Sequence, residues 1–374
     1  MILQFDLSLF MEIIREIIRR LLLDLDSFIL LFRETAILFA IYGIYVLSLN
    51  LEAGYLGLPQ FGKVMFLALG GLAVGGIATK LALWIYAGIN PLGNVDLYCS
   101  AQQYQAVAVV NQLFAASPLD GLAFFFLSLV LAAALAGVFG ILMSGPALRL
   151  REDYLGILLL VSAETVRVIT TYTPAVACGV FGAVVPDPFA WMGRDRSWGY
   201  LAVVLLFLLL TFVAMERLAN SPFGRALRAI RDAETAARVF GKDIVKFRIR
   251  VLATASALAG IAGALLVFYN NYVNMGQFIP LFTFIAWAML IIGGMGNNIG
   301  ALTGVAIYYA LDRFLSMYKE NIRQVVNVDP VFFQYIAFGV AIILVLMFRP
   351  QGVFGEKPSK TLNRRVLKRF REEA

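Results

Sequence analysis

Histidine is absent from this chain, and Cys99 and Cys178 are its only cysteines. Zinc, haem and histidine-based catalytic constellations therefore lack their usual ligands. Carboxylates remain: Glu52 and Glu164 both lie in apolar sequence, each with a base nearby, Lys63 and Arg167 respectively. Ionisable groups in such segments are costly and turn toward an interior or a partner. Glu164 and Arg167, three apart on one helix, are expected to pair with each other. Glu52 and Lys63 flank a break marked by Gly54 and Gly57. A carboxylate-based intramembrane enzyme would have to use a group such as Glu164, and Arg167 is placed to hold it ionised. A non-catalytic chain is thus expected.

A second chemistry lies in the polar, basic stretch from Glu216 to Arg250. Arg217, Arg225, Arg228, Arg231, Arg238, Lys242, Lys246, Arg248 and Arg250 stand there against Glu216, Asp232, Glu234 and Asp243. Ser221 is suited to cap a helix with Pro222 in its first position. Phe223, Leu227 and Ile230 then share one face, and Arg225, Arg228 and Arg231 project elsewhere. Asp232 is expected to cap a second helix with an apolar stripe of Ala233, Ala236, Ala237 and Phe240. Glu234 supports Arg238 four residues on, and Gly241 supplies a stop. A plain basic loop needs no such apolar faces, which must be buried on something. A groove on a soluble partner is the simplest sink.

The elements that carry these residues follow from composition. With 61% apolar and 15% charged residues and a mean hydropathy of +0.82, the chain has the membrane as its solvent. Nine segments approach the ~20 apolar residues needed to cross a bilayer: 33–51, 62–88, 119–145, 152–172, 199–217, 248–270, 277–296, 299–317 and 330–348. Backbone polar groups in lipid must be satisfied internally, so these are helices. The predicted fold is an all-α polytopic membrane protein.

Residues 1–32 lack the order of a signal peptide. Apolar positions from Leu7 to Leu25 recur at helical spacing, which predicts an amphipathic helix in the interface or, if it dips inward, a tenth short span. Positive residues concentrate inside, which puts the 216–250 stretch and the tail after Met347 on the cytoplasmic side, with four spans between them. Cys99 and Cys178 then fall outside, where a disulfide and two free thiols both stand as readings. Four spans precede the linking span and four follow the loop, so the two groups have opposite orientations. This predicts two inverted repeats, 33–172 and 248–348, joined by 173–247 and followed by a basic tail, 349–374. Directly after a span, the basic run from Lys357 to Arg371 in that tail reads as a lipid-facing anchor and not as a nucleic-acid site.

The run NSPFGRALRAIRDAETAARVFGKDIVKFR resembles the permease subunits of branched-chain amino-acid ABC importers, of the LivM type, as do LAGIAGAL, FTFIAWAMLIIGGMGNNIGALTG and RPQGVFG. LSLNLEAGYLGLPQFGKVMF and LREDYLGILLLVSAETVRVI are similar to that family's first glycine-rich span and a later span, so the resemblance covers residues 35 to 356. It implies that Glu234, Ala236, Ala237 and Gly241 occupy the family's Glu-Ala-Ala loop, which sits in a cleft of an ATP-binding subunit. With Phe223, Arg225, Arg228, Arg231 and Phe240 they form the candidate coupling loop.

The same resemblance places Glu52, Gly54, Gly57, Lys63, Gly293, Gly294 and Gly296 along the translocation path. Lys63 stands where the family most often has histidine, and Glu52 where an apolar residue is usual. The expected partners are ATP-binding cassette subunits, a second permease, an external solute-binding protein and membrane lipid. ATP and magnesium are expected on the partner, since no GxxxxGK[ST] loop occurs here. The implied function is the import of branched-chain or related hydrophobic amino acids across the plasma membrane. Import of another small polar solute, such as urea or an amide, and ion-coupled secondary transport are the alternatives.

Overall fold

The computed structural model describes residues 25–88, 102–317, 330–349 and 351–356, together with Arg15 and Cys99. The expected interfacial helix over 7–25 and the basic residues after 356 lie outside the described residues. Helix α1 runs Leu25–Leu49 and passes without a stop into a π-helical turn, Asn50–Tyr55. After a short loop, α2 (Lys63–Leu72), a second π turn (Ala73–Ala78) and α3 (Thr79–Ala87) form one continuous rod. The second π turn has a local cause: the Thr79 hydroxyl donates to the Val74 carbonyl, five residues back, at 2.9 Å, which draws the ladder into the wider register.

Helices α4 (Gln102–Ala116), α5 (Pro118–Arg149) and α6 (Glu152–Tyr172) follow. Proline opens α5 in its first turn, where no intrahelical donor is lost, and Pro146 lies just before its end. Then come α7 (Arg196–Asn220), α8 (Pro222–Asp232), α9 (Glu234–Val239) and α10 (Ile244–Asn270). The chain closes with α11 (Leu281–Gly293), α12 (Asn298–Met317) and α13 (Pro330–Phe348). Strands β1 (Ala183–Val184) and β2 (Tyr272–Val273) pair antiparallel, Ala183 opposite Val273.

All nine expected apolar segments are helical. Among the described residues, six of these rods are long and apolar enough to cross a membrane on their own. Helices α11 and α12, expected as spans seven and eight, are a pair bent by 117° at their break. The rod α2–α3 and helix α10 form the centre, with 78% and 67% of their apolar windows buried, against 33% for α5, α6 and α7. Helix α10 packs along both α2 and α5. A Cβ at Gly70 of α2 would stand 2.0 Å from the Gly260 carbonyl oxygen of α10, so only glycine allows this approach. The outward apolar faces of α5 to α7, which carry Phe126, Leu142, Ile157 and Leu209, are surfaces for lipid or another subunit.

Two ends of the bundle are distinguishable. One carries the β1–β2 pair and a disulfide between Cys99 and Cys178, whose Cα atoms are 5.1 Å apart. This decides between the two readings of the cysteines. The other end carries α8, α9 and the residues after α13, which touch one another through Arg228, Arg231 and Glu356. The basic loop and the start of the tail therefore share a face.

Candidate functional site

Helix α8 begins as its sequence dictates. The Ser221 hydroxyl accepts from the Gly224 N–H at 3.3 Å, and Pro222 occupies the first position. Its apolar face turns inward: Leu227 and Ile230 are buried, and Phe223 stacks on Phe247 of α10 with centroids 5.0 Å apart. Asp232 does not cap the next helix. It ends α8 and accepts from the Arg231 Nε at 2.9 Å, and Ala233 precedes α9 instead. A neighbouring guanidinium competes successfully with the backbone for that carboxylate.

Helix α9 is held at its first residue. Glu234 accepts from Arg238 at 3.1 Å and from Arg248 at 2.9 Å, and Arg248 also donates to the Ala147 carbonyl of α5 at 3.1 Å. Gly241, at φ +75, turns the chain away. Asp243 then caps α10 by accepting from the Lys246 N–H at 3.2 Å. The Lys246 side-chain bond, together with that backbone bond, holds the Asp243 carboxyl below its ordinary range.

The expected four-residue stripe on α9 divides in the structure. Ala237 faces inward, whereas Ala233, Ala236 and Phe240 are exposed. Phe240 is 82% exposed and Val239, which the sequence reading had not singled out, 86%. Val239 lies three residues after Ala236, a spacing that places it on the same face. The result is a rigid projection with an apolar tip of Ala236, Val239 and Phe240. Arg225 stays at the surface, where its Nη1 donates to the Asn220 carbonyl at 3.4 Å.

Arg228 and Arg231, placed by helical spacing off the Phe223, Leu227 and Ile230 face, fold inward onto Glu356. The Arg228 guanidinium lies 5.2 Å from the Tyr55 ring centroid. Arg231 donates to the Gly54 carbonyl at 2.5 Å and to Glu356 at 2.8 Å. Burial works against its charge, but the Glu356 and Asp232 carboxylates outweigh it and hold its pKa above the ordinary value.

The glycine breaks meet at this point. Gly54, one residue before the end of the first π turn, is so close to its neighbours that a Cβ would stand 2.0 Å from the Asn50 Oδ1 and 2.7 Å from the Gly296 nitrogen. The Gly296 N–H donates to that same Asn50 oxygen at 2.9 Å, and Asn50 donates to Asn298 at 3.1 Å. Gly294 and Gly296, at φ +121 and +75, make the turn between α11 and α12; L side chains rarely adopt either. Gly293 packs on Gly300 across that turn. Gly57 lies under the stem of Arg231. The structure thus brings the first and second glycine breaks together at the coupling end.

Glu52 and Lys63 are not on an open surface: both side chains are 0% exposed and joined at 2.7 Å, and Lys63 also donates to the Ala255 carbonyl of α10 at 3.2 Å. The Gln60 side chain, also buried, lies beside the Glu52 carboxylate. The pair ties the first π turn to α2 and α10. Glu164 and Arg167 pair with each other as expected, through an Nε bond of 2.9 Å and a second bond from Nη2.

The chain matches the family described as branched-chain amino acid transport system / permease component over residues 31–347. It is 38% identical over 340 residues to a probable branched-chain amino acid transport permease protein LivM of Methanocaldococcus jannaschii, covering 90% of this chain and 95% of that protein. It is 26% identical over 255 residues to the high-affinity branched-chain amino acid transport system permease protein LivM of Escherichia coli, covering 61% of this chain and 57% of that one. A xylose transport system permease protein of Escherichia coli is 27% identical over 161 residues, covering 42% and 38% respectively. No solved structure matches the chain.

Proposed function

The chain belongs to the branched-chain amino-acid transport permease family, and from that premise we propose that it is the membrane-spanning subunit of an ATP-driven importer of branched-chain or related hydrophobic amino acids. It supplies half of the translocation path and catalyses no reaction itself. ATP and magnesium are bound by cassette subunits, a second permease supplies the other half, and a solute-binding protein delivers the amino acid from outside. The loop and the start of the tail at Glu356 share one face, and the positive residues that the sequence carries in the loop and tail assign that face to the cytoplasm. The disulfide end then faces the oxidising exterior, and the two groups of four spans on either side of α7 are inverted repeats.

The observation that carries this reading is the apolar tip at Ala236, Val239 and Phe240, held out on a helix whose base is bonded to Arg248 of α10, which in turn bonds α5. Exposed apolar groups on an ordered projection are characteristic of a docking anchor. The Phe240→Asp, Ala236→Asp double variant should lose the ATP-binding subunit in a co-purification from membranes. Retention of that subunit at the wild-type ratio would remove the basis of the proposal.

A further inference from the structure

We propose that Arg231 and Glu356 are positioning residues for transport: a clasp through which movement of the projecting helices reaches both glycine breaks together. The inference rests on the importer reading above.

Four separate pieces of chain converge on the clasp. The Arg231 guanidinium, on α8, spans from the Gly54 carbonyl at 2.5 Å to Glu356 at 2.8 Å. Arg228, one turn earlier on α8, forms a second ion pair with the other Glu356 oxygen at 3.1 Å. Glu356 therefore holds two arginines of one helix with its two oxygens. Its own segment is bonded to the α11–α12 break: the Val353 N–H donates to Ile292 at 3.0 Å, the Phe354 N–H to Gly293 at 2.9 Å, and Asn297 donates to the Gly355 carbonyl at 3.0 Å.

The breaks are shaped to receive it. A Cβ on Gly57 would meet the Arg231 Cγ at 2.7 Å, and one on Gly296 would stand 3.1 Å from the Glu356 Cδ and 3.4 Å from the Arg231 Nη1. Each break thus leaves room for one arm of the clasp. The two breaks are in turn cross-linked by Asn50 and Asn298, and Asn298 donates to Glu216 at the end of α7 at 3.0 Å. Packed networks of this kind shift between discrete arrangements and do not deform continuously. Charge-assisted bonds on a planar arginine fork are strong and geometrically specific, so they fix the distance between the pieces they join. A displacement of α8 must therefore carry the α1 terminus and the α11–α12 turn with it, or break the clasp.

The test is made on the assembled importer in proteoliposomes and on the purified permease in nanodiscs. In proteoliposomes, Glu356→Gln should leave the cassette subunits bound and ATP hydrolysed at half the wild-type rate or more, while uptake per ATP falls tenfold or more. The conservative Glu356→Asp variant, which keeps a carboxylate between Arg228 and Arg231, should retain uptake per ATP at least threefold above Glu356→Gln. In nanodiscs, without any transport assay, hydrogen exchange of Glu356→Gln should show amides at 50–57 and at 292–298 losing protection together. Uptake and hydrolysis falling in one proportion would make the clasp an assembly contact and overturn the proposal. So would loss of protection confined to 351–356. A wild-type complex with no ATP-dependent uptake would instead refute the importer reading, and the exchange result would still decide whether the clasp links the two breaks.

Discussion

Replacing Phe240 with alanine isolates the docking contact from everything that folds the loop. The side chain is 82% exposed, and its removal leaves intact the capping bond of Ser221 and both bonds of Glu234. An aromatic side chain buries at least about 150 Å² when fully covered. At about 25 cal/mol per Å², covering the exposed four-fifths of Phe240 in a partner groove contributes roughly 3 kcal/mol. Ordering and imperfect fit reduce that figure, so the expected loss is about 1.5–3 kcal/mol, or roughly 10- to 150-fold in affinity. The assay is titration of the purified ATP-binding subunit onto permease in nanodiscs, followed by binding-layer interferometry. Val180→Ala, an exposed apolar position at the disulfide end, is the control and should bind as wild type. If Phe240→Ala binds within twofold of wild type while Val180→Ala also does, the tip is not an anchor and the reasoning from its exposure is wrong.

Three further outcomes follow from the packing. Glu52→Gln leaves Lys63 buried without its counter-ion and should destabilise the protein by about 3–5 kcal/mol, whereas Glu52→Gln with Lys63→Met should recover most of that; thermal unfolding in detergent reads both. Gly54→Ala pushes a methyl group into Asn50 and the Gly296 backbone and should cost about 1–3 kcal/mol with loss of uptake, read by the same melts and by vesicle transport. Cys99→Ser with Cys178→Ser opens a link 79 residues apart in sequence and should lower stability by about 2–5 kcal/mol, an effect that reductant reproduces in wild type and does not add to in the variant.

Local rules were legible and distant pairings were not. Ser221, Pro222, the Glu234–Arg238 pair and the Gly241 stop depend on neighbours within four or five residues, so their chemistry is written in order along the chain. The apolar spans were legible for the same reason, because a bilayer imposes a length on each one separately. Asp232 misled because its capping role competes with a guanidinium one residue away, a contest decided by rotamers. The partners of Arg228 and Arg231 were not legible, because helix spacing alone cannot show that the α1 terminus and Glu356 lie beside them, the latter 125 residues on from Arg231. Glu356 itself carries no local signal: it lies one residue before the basic run from Lys357 to Arg371.

Lys63 and Glu52, 11 residues apart across a loop, were visible as charges beside a break but not as partners, since the loop between them sets their distance. Val239 was the avoidable omission: its position relative to Ala236 and Phe240 already placed it on the exposed face.

The central claim is tested most directly by placing a photo-reactive amino acid at Val239 in the assembled importer and illuminating it with and without nucleotide. The account predicts a covalent product with the ATP-binding subunit in at least one nucleotide state. Labelling only by water in every state, with the complex intact and transporting, would contradict it.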